Sequence, residues 1–248
     1  MKLKKETTFL FFFAIFQLSI CQNKLISKEG FISPDSESFE GNKPEANWVW
    51  DSGDPNPKNY YLHIRKNFRL NSPIKEAKAY VSAFSFAELY INGIYIDRIP
   101  TNPDPEYQTY EKIDISTYLK LGENTIAALV YNVGEGLHHR MNGKGGFFFQ
   151  SKIIDSEEKI IKLNSDKKWL VAKAIAWENK TDHRQIDHTI GRREKYDARL
   201  EYDGWEQNHF NDSNWENATE IGVPPIDPWN KIIVINRERT FFKKISPV

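Results

Sequence analysis

Between Arg192 and Trp215 the chain concentrates side chains that could do chemistry. Arg192, Arg193, Glu194, Asp197, Arg199 and Glu201 place guanidinium groups and carboxylates close together along one short stretch. The planar fork of arginine matches the carboxylate of a uronic acid, and carboxylates accept hydrogen bonds from sugar hydroxyls. Arg193, Glu194, Asp197, Arg199 and Glu201 are therefore carbohydrate-contact candidates. The same charges would also serve as an ion-pair network that pins a long loop to the protein body, the commoner use of charged loop clusters. Trp205 joins the candidates, with Trp215 beside it in sequence. A flat indole face can carry a sugar ring while leaving its hydroxyls wet. Tryptophans placed this way also act as buried anchors.

Other constellations are weaker. His138 and His139 are adjacent, so in a strand they project to opposite sides and do not share a ligand. His183 and His188, with Asp182 and Asp187, offer ligand types without the i,i+4 spacing of a helical metal site. Asp51-Ser-Gly-Asp54 and Asn102-Pro-Asp104 follow no calcium-loop pattern. Gly-x-Gly-x-x-Gly, phosphate-loop and Gly-x-Ser-x-Gly patterns do not occur. The sequence thus assigns no metal, no cofactor and no catalytic residue.

The elements that hold these residues must be built from strands. Of 248 residues, 40% are hydrophobic and 14% aromatic, with 13 glycines and 12 prolines. That composition suits short strands and turns better than long helices. Lysine plus arginine number 34 and aspartate plus glutamate 34, a formal net charge of zero. Such a balance lacks the excess of cations that phosphate backbones attract, and argues against a nucleic-acid partner. No apolar run reaches the roughly 18 residues of a spanning helix.

Residues 1–21 read as an export signal: Lys2, Lys4 and Lys5, then an apolar stretch from Phe9 to Ile20, then Cys21. Cys21 is the single cysteine. Leu18-Ser19-Ile20-Cys21 resembles a bacterial lipoprotein box, although Ile20 stands where that box takes a small residue. Cys21 is thus a lipidation candidate, and ordinary cleavage after it is the alternative. Either outcome places the protein outside the cytoplasm, in the periplasm or on the cell surface, as an outer-membrane lipoprotein if Cys21 carries lipid. Contact with a membrane would then run only through that anchor. One cysteine forms no internal disulfide, so packing alone must hold the fold.

Residues 22–45 are polar and read as a tether. Trp48-Val-Trp50 opens the strand signals, with Trp48 and Trp50 on one face. Residues 60–70 alternate, with Tyr61, His63 and Arg65 on one side of a half-buried strand. Asn92-Gly93 between apolar runs predicts a hairpin, since both residues tolerate positive φ. Residues 113–119 predict a short helical turn, 121–124 a tight turn, and 125–132 a buried strand. Further strands are expected over 147–154, 160–163, 169–177 and 231–236, with 178–196 as a charged loop. Turn signals every 8–15 residues make an antiparallel, all-β sandwich over 46–236, followed by a short tail, 237–248.

Several motifs resemble the N-terminal β-sandwich domain of bacterial α-L-rhamnosidases. They are Trp48-Val-Trp50 with Ile64-Arg-Lys-Asn-Phe-Arg-Leu70, Ala77–Ala83 with Glu88-Leu-Tyr-Ile-Asn-Gly93, and Tyr107-Gln-Thr-Tyr110 with Leu119–Ile126. The most specific are Tyr196-Asp-Ala-Arg-Leu-Glu201, Gly204-Trp205 and Phe210-Asn-Asp-Ser-Asn-Trp215. The resemblance covers about residues 45–236 and implies a galactose-binding-like jelly roll. In the resembled enzymes the acid and base carboxylates sit on a downstream (α/α)6 barrel, and this chain stops at Val248. An inverting glycosidase needs two carboxyls roughly 6.5–9.5 Å apart, one of raised pKa; no such pair is assigned. The expectation is an exported, non-catalytic sandwich that meets rhamnose-containing oligo- or polysaccharide, weakly binding it and accessory to its degradation. The alternative is the front piece of a rhamnosidase that works only with a separate glycoside hydrolase catalytic chain.

Overall fold

A computed structural model describes residues 43–100, 104, 106–137, 142–182 and 191–234. The export segment with Cys21, the tether up to residue 42, the tail 237–248, and His138, His139, His183, Asp187 and His188 lie outside the described residues.

Two sheets face each other. The first contains β1 (Trp48–Trp50), β3 (Ile74–Phe84), β6 (Tyr107–Asp114), β8 (Gly146–Asp155), β9 (Ile160–Asn164), β12 (Thr219–Gly222) and β13 (Lys231–Val234). Its order is β12-β1-β8-β3-β6-β13, with β9 also paired to β8. The second contains β2 (Tyr60–Leu70), β4 (Phe86–Ile91), β5 (Ile94–Pro100), β7 (Gly122–Asn132), β10 (Leu170–Lys173) and β11 (Glu216–Asn217), in the order β11-β10-β2-β7-β4-β5. Sequence neighbours β2 and β3 lie in different sheets, and the interior between the sheets is the core of a jelly-roll sandwich.

The period of two decides which side chains enter that core. Leu62 and Ile64 of β2, Ile126, Ala128 and Val130 of β7, and Leu89 and Ile91 of β4 point inward. They meet Ala77, Ala79, Val81 and Ala83 of β3 and Phe147 and Phe149 of β8. Burying each large aliphatic or aromatic side chain contributes about 1.5–3 kcal/mol. The β4–β5 hairpin closes at Asn92 (φ 53°) and Gly93 (φ 81°), both in the left-handed region. Asn92 also ties that turn across the fold: its amide nitrogen donates to Tyr118 O (2.8 Å) and Asn124 Oδ1 (2.9 Å), and its Oδ1 accepts from Thr125 N (2.9 Å).

The structure departs from the sequence-based expectation at four places. Pairing is antiparallel throughout except that β13 runs parallel to β6, Lys231 opposite Tyr107. β13 reaches that edge after a long excursion rather than through a hairpin, and such a connection permits parallel pairing. The expected strand 169–177 is confined to β10, because the chain turns beyond Lys173, where Trp177 N donates to Ala174 O. In β1 the register shifts between Trp48 and Val49. Trp50 consequently joins the inter-sheet core, while Trp48 stacks on Trp229 at 4.2 Å. Finally, β2 is not half-buried along its first half: His63 and Arg65 are both 0% exposed. A strap of residues 196–215 covers them.

Candidate functional site

The strap forms a second apolar layer on the outer face of the second sheet. Tyr61 of β2 and Ala127, Leu129 and Tyr131 of β7 pack there with Trp205, flanked by Tyr202, Phe210 and Trp215. Trp205 is 7% exposed, with its ring 4.2 Å from His63 and 5.3 Å from Tyr90. Its faces are taken up inside the protein, so it acts as the buried anchor and offers no platform to solvent. Phe210-Asn-Asp-Ser-Asn-Trp215 is a turn followed by an anchor: Trp215 N donates to Asp212 O, and Ser213 N to Asn211 Oδ1.

An ion pair and a histidine–carboxylate contact fasten the strap. Arg65, reaching out from β2, meets Asp212 Oδ2 at 3.1 Å, donates to Gln207 O at 2.9 Å and lies over the Phe210 ring at 5.1 Å. His63 Nε2 lies 3.0 Å from Glu201 Oε1. That carboxylate also accepts Tyr202 N (2.9 Å) and the Tyr196 hydroxyl (3.3 Å). Burial works to raise the Glu201 pKa, but the hydrogen bond and charge of His63, with the Tyr202 and Tyr196 donors, outweigh it and hold the group below the usual carboxylate range.

The other sequence candidates go elsewhere. Asp197 caps the 3-10 turn Ala198–Leu200 and grips Arg199, Nε to Oδ1 at 2.8 Å and Nη2 to Oδ2 at 2.6 Å. The guanidinium fork that a uronate would need is thus filled from two residues away. The Arg199 hydrogen bonds hold Asp197 below its ordinary pKa. Arg193 and Glu194 carry exposed side chains. The main chain of Arg193 is fixed by its N–H to Asp182 O (2.9 Å) and its carbonyl to Thr181 Oγ1 (2.6 Å). The candidates therefore do not converge on one surface: Glu201 and Trp205 turn inward, Asp197 and Arg199 pair outward, and Arg193 and Glu194 stand at the loop.

Sequence reasoning passed over two features. Tyr196 is 46% exposed and rests on Trp177 at 4.8 Å, which stacks on Tyr61 at 4.4 Å. Tyr196, rather than Trp205, is an exposed ring of the strap. Nothing in the spacing of the motif distinguishes the two. The second feature is an open depression of about 630 Å3 between residues 54–60 on one side and residues 179–182 with Arg192 on the other. Lys58, Tyr60, Asn179, Lys180, Asp182 and Arg192 are among its lining. Its framework is tightly fixed. Buried Asn59 donates to the Glu178 and Asn179 carbonyls (3.3 Å each) and to Thr181 Oγ1 (3.1 Å), and accepts from the Tyr131 hydroxyl (3.1 Å). Arg192 reaches Glu135 with two nitrogens (2.8 and 3.2 Å) and Thr181 O with a third (2.7 Å). Gly134 (φ 62°) lies so close to Pro57 that a Cβ would meet its carbonyl. Tyr60 is held by its hydroxyl donating to Asp51 Oδ2 at 2.6 Å. Burial first, then that bond, pushes its pKa well above the ordinary value.

Among the described residues no three His, Cys, Asp or Glu side chains gather as a metal site.

Comparison with known proteins places this architecture. Residues 72–233 match the family model described as the alpha-L-rhamnosidase N-terminal domain. A curated alpha-L-rhamnosidase from Formosa agariphila is 28% identical over 164 residues, 62% of this chain and 17% of that protein. The chain thus spans only a small part of the relative it matches. A crystal structure of a GH78 family rhamnosidase of Bacillus sp. GL1 superposes with TM-score 0.68 at 26% identity, over 78% of this chain and 20% of that one. The lectin of Pleurotus ostreatus shares the fold, with TM-score 0.53 at 18% identity over 77% of this chain and 46% of the lectin.

Proposed function

Because this chain belongs to the α-L-rhamnosidase N-terminal domain family, we propose that it is an exported sandwich module that acts beside the degradation of rhamnose-containing polysaccharide. It binds carbohydrate weakly and does not itself cleave it. The family match over residues 72–233 carries this reading. The state of the carboxyls supports the non-hydrolytic part. Among the described residues, Asp197 and Glu201 of the most specific motif are both held below their ordinary pKa. A general acid for glycoside cleavage needs the opposite shift. The export part rests on residues 1–21, with Cys21 as the lipid-bearing residue.

Calorimetry tests the binding role. Rhamnose-containing oligosaccharides should give heat with a dissociation constant on the order of 0.1–1 mM, while purified protein releases no sugar from an aryl rhamnoside. Absence of heat at millimolar ligand, or ordinary turnover of the aryl rhamnoside, overturns the proposal. Radiolabelled fatty acid incorporated by the full chain, and lost in Cys21→Ser, tests the anchor.

One observation favours a second reading. The chain covers 17% of the Formosa enzyme and 20% of the Bacillus enzyme. As the front part of a rhamnosidase it would lend packing surface to a separate catalytic polypeptide. Copurification with a glycoside hydrolase chain, with rhamnosidase activity appearing only in the complex, would establish that reading.

A further inference from the structure

The depression beside Tyr60 combines a fixed frame with unengaged polar groups. Asn59, Thr181 and Arg192 are locked by internal hydrogen bonds, so its floor and walls are set before any ligand arrives. Against that frame, the side chains of Lys58, Asn179, Lys180 and Asp182 line the same hollow. Among the described residues none of these four makes a side-chain hydrogen bond or ion pair. Together they offer ammonium donors, a carboxylate acceptor and an amide that does both. Tyr60 adds an aromatic surface whose orientation the Asp51 bond fixes. The volume, about 630 Å3, lies within the range of small-ligand clefts.

From this arrangement we propose that the depression is a binding site for a neutral oligosaccharide. The proposal rests on the reading above that the chain meets carbohydrate, and it adds where and of what charge class. The Arg192 guanidinium is already answered by Glu135 outside the hollow. Among the described residues of the lining, the charges left are Lys58 and Lys180 against Asp54 and Asp182, and these balance. A balanced set of donors and acceptors suits hydroxyls, which both give and accept hydrogen bonds. It gives an anionic uronate no net attraction. The aromatic surface of Tyr60 receives the C–H face of a ring. Because the frame is preformed, little ordering accompanies binding, which helps a small contact area register as affinity at all.

Calorimetry on the full chain tests the site with two probes: a neutral rhamnose-terminated oligosaccharide, and the same oligosaccharide bearing a uronic acid. Lys58→Ala and Asp182→Ala remove groups that bond nothing within the described residues, and both should fold with unchanged thermal midpoints. Each should weaken the neutral probe about tenfold or more, whereas Tyr196→Ala, on the strap, should leave it unaltered. The wild type should bind the uronate probe no better than the neutral one, with little dependence on salt. Wild-type binding that survives both groove substitutions overturns the site and leaves the carbohydrate role standing. Loss of binding in Tyr196→Ala alone moves the site to the strap and likewise overturns it. A preference for the uronate probe overturns the neutral assignment. No heat from the wild type with either probe overturns both this site and the carbohydrate role.

Discussion

His63 and Glu201 stand 138 residues apart in sequence and 3.0 Å apart in space. The contact fastens the strap to β2, and it explains why a histidine with 0% exposure is tolerated on the outer face of a sheet. Around it Trp205, Tyr202 and Trp215 close off water. Of the two uses the sequence allows the charged stretch, sugar contact or a network that pins the loop, its most buried member thus serves the second.

Glu201 also sets an acid limit on stability. Its pKa is lower folded than unfolded, so between those two values the unfolded chain binds more protons than the folded one. Its stabilisation is therefore present above the unfolded carboxylate pKa, about 4.3. It is lost as pH falls through the folded value. Urea midpoints measured from pH 6 down to pH 3 should drop more steeply for wild type than for Glu201→Gln, which should be less stable by about 1–3 kcal/mol at neutral pH. Parallel curves for the two would refute this.

Arg65→Ala strips a buried cation from Asp212 and from the Gln207 carbonyl. Breaking a buried pair in this way costs about 3–5 kcal/mol. A double-mutant cycle with Asp212→Ala should show coupling, because the two share one contact. Additive losses would mean that the pair does not hold the strap.

Trp205→Ala should behave as a core truncation, destabilising by about 3–5 kcal/mol in urea unfolding. At a temperature where the variant stays folded, its oligosaccharide affinity should match the wild type. A large loss of affinity with little loss of stability would put Trp205 back among the sugar contacts.

Gly146→Ala tests the packing at the start of β8. An added Cβ would meet the Trp229 ring at 2.7 Å and the Trp48 ring at 2.9 Å, and these two rings are stacked on each other with little room to yield. Overpacking of this kind costs about 1–3 kcal/mol. Tryptophan emission should shift as the stack is disturbed; an unchanged spectrum and an unchanged urea midpoint would contradict the account.

The sandwich, its hairpins and much of its strand placement were legible in the chain itself, because they arise from neighbours a few residues apart. Alternation in β2 marks a period of two, the apolar run 125–132 marks a buried strand, and Asn92-Gly93 supplies the positive φ that a tight hairpin requires. The motifs from Tyr196 to Trp215 marked the family. Their local order did not reveal what each side chain faces. Period two places Tyr61, His63 and Arg65 on one face of β2, yet only the arrival of the strap from far along the chain decides that this face is dry. The same distant contact turned Glu201 and Trp205 inward and left Tyr196 exposed. The depression at Tyr60 was hidden for a related reason. Its lining comes from loops more than a hundred residues apart, joined by Asn59, and no short-range pattern records where such loops will meet.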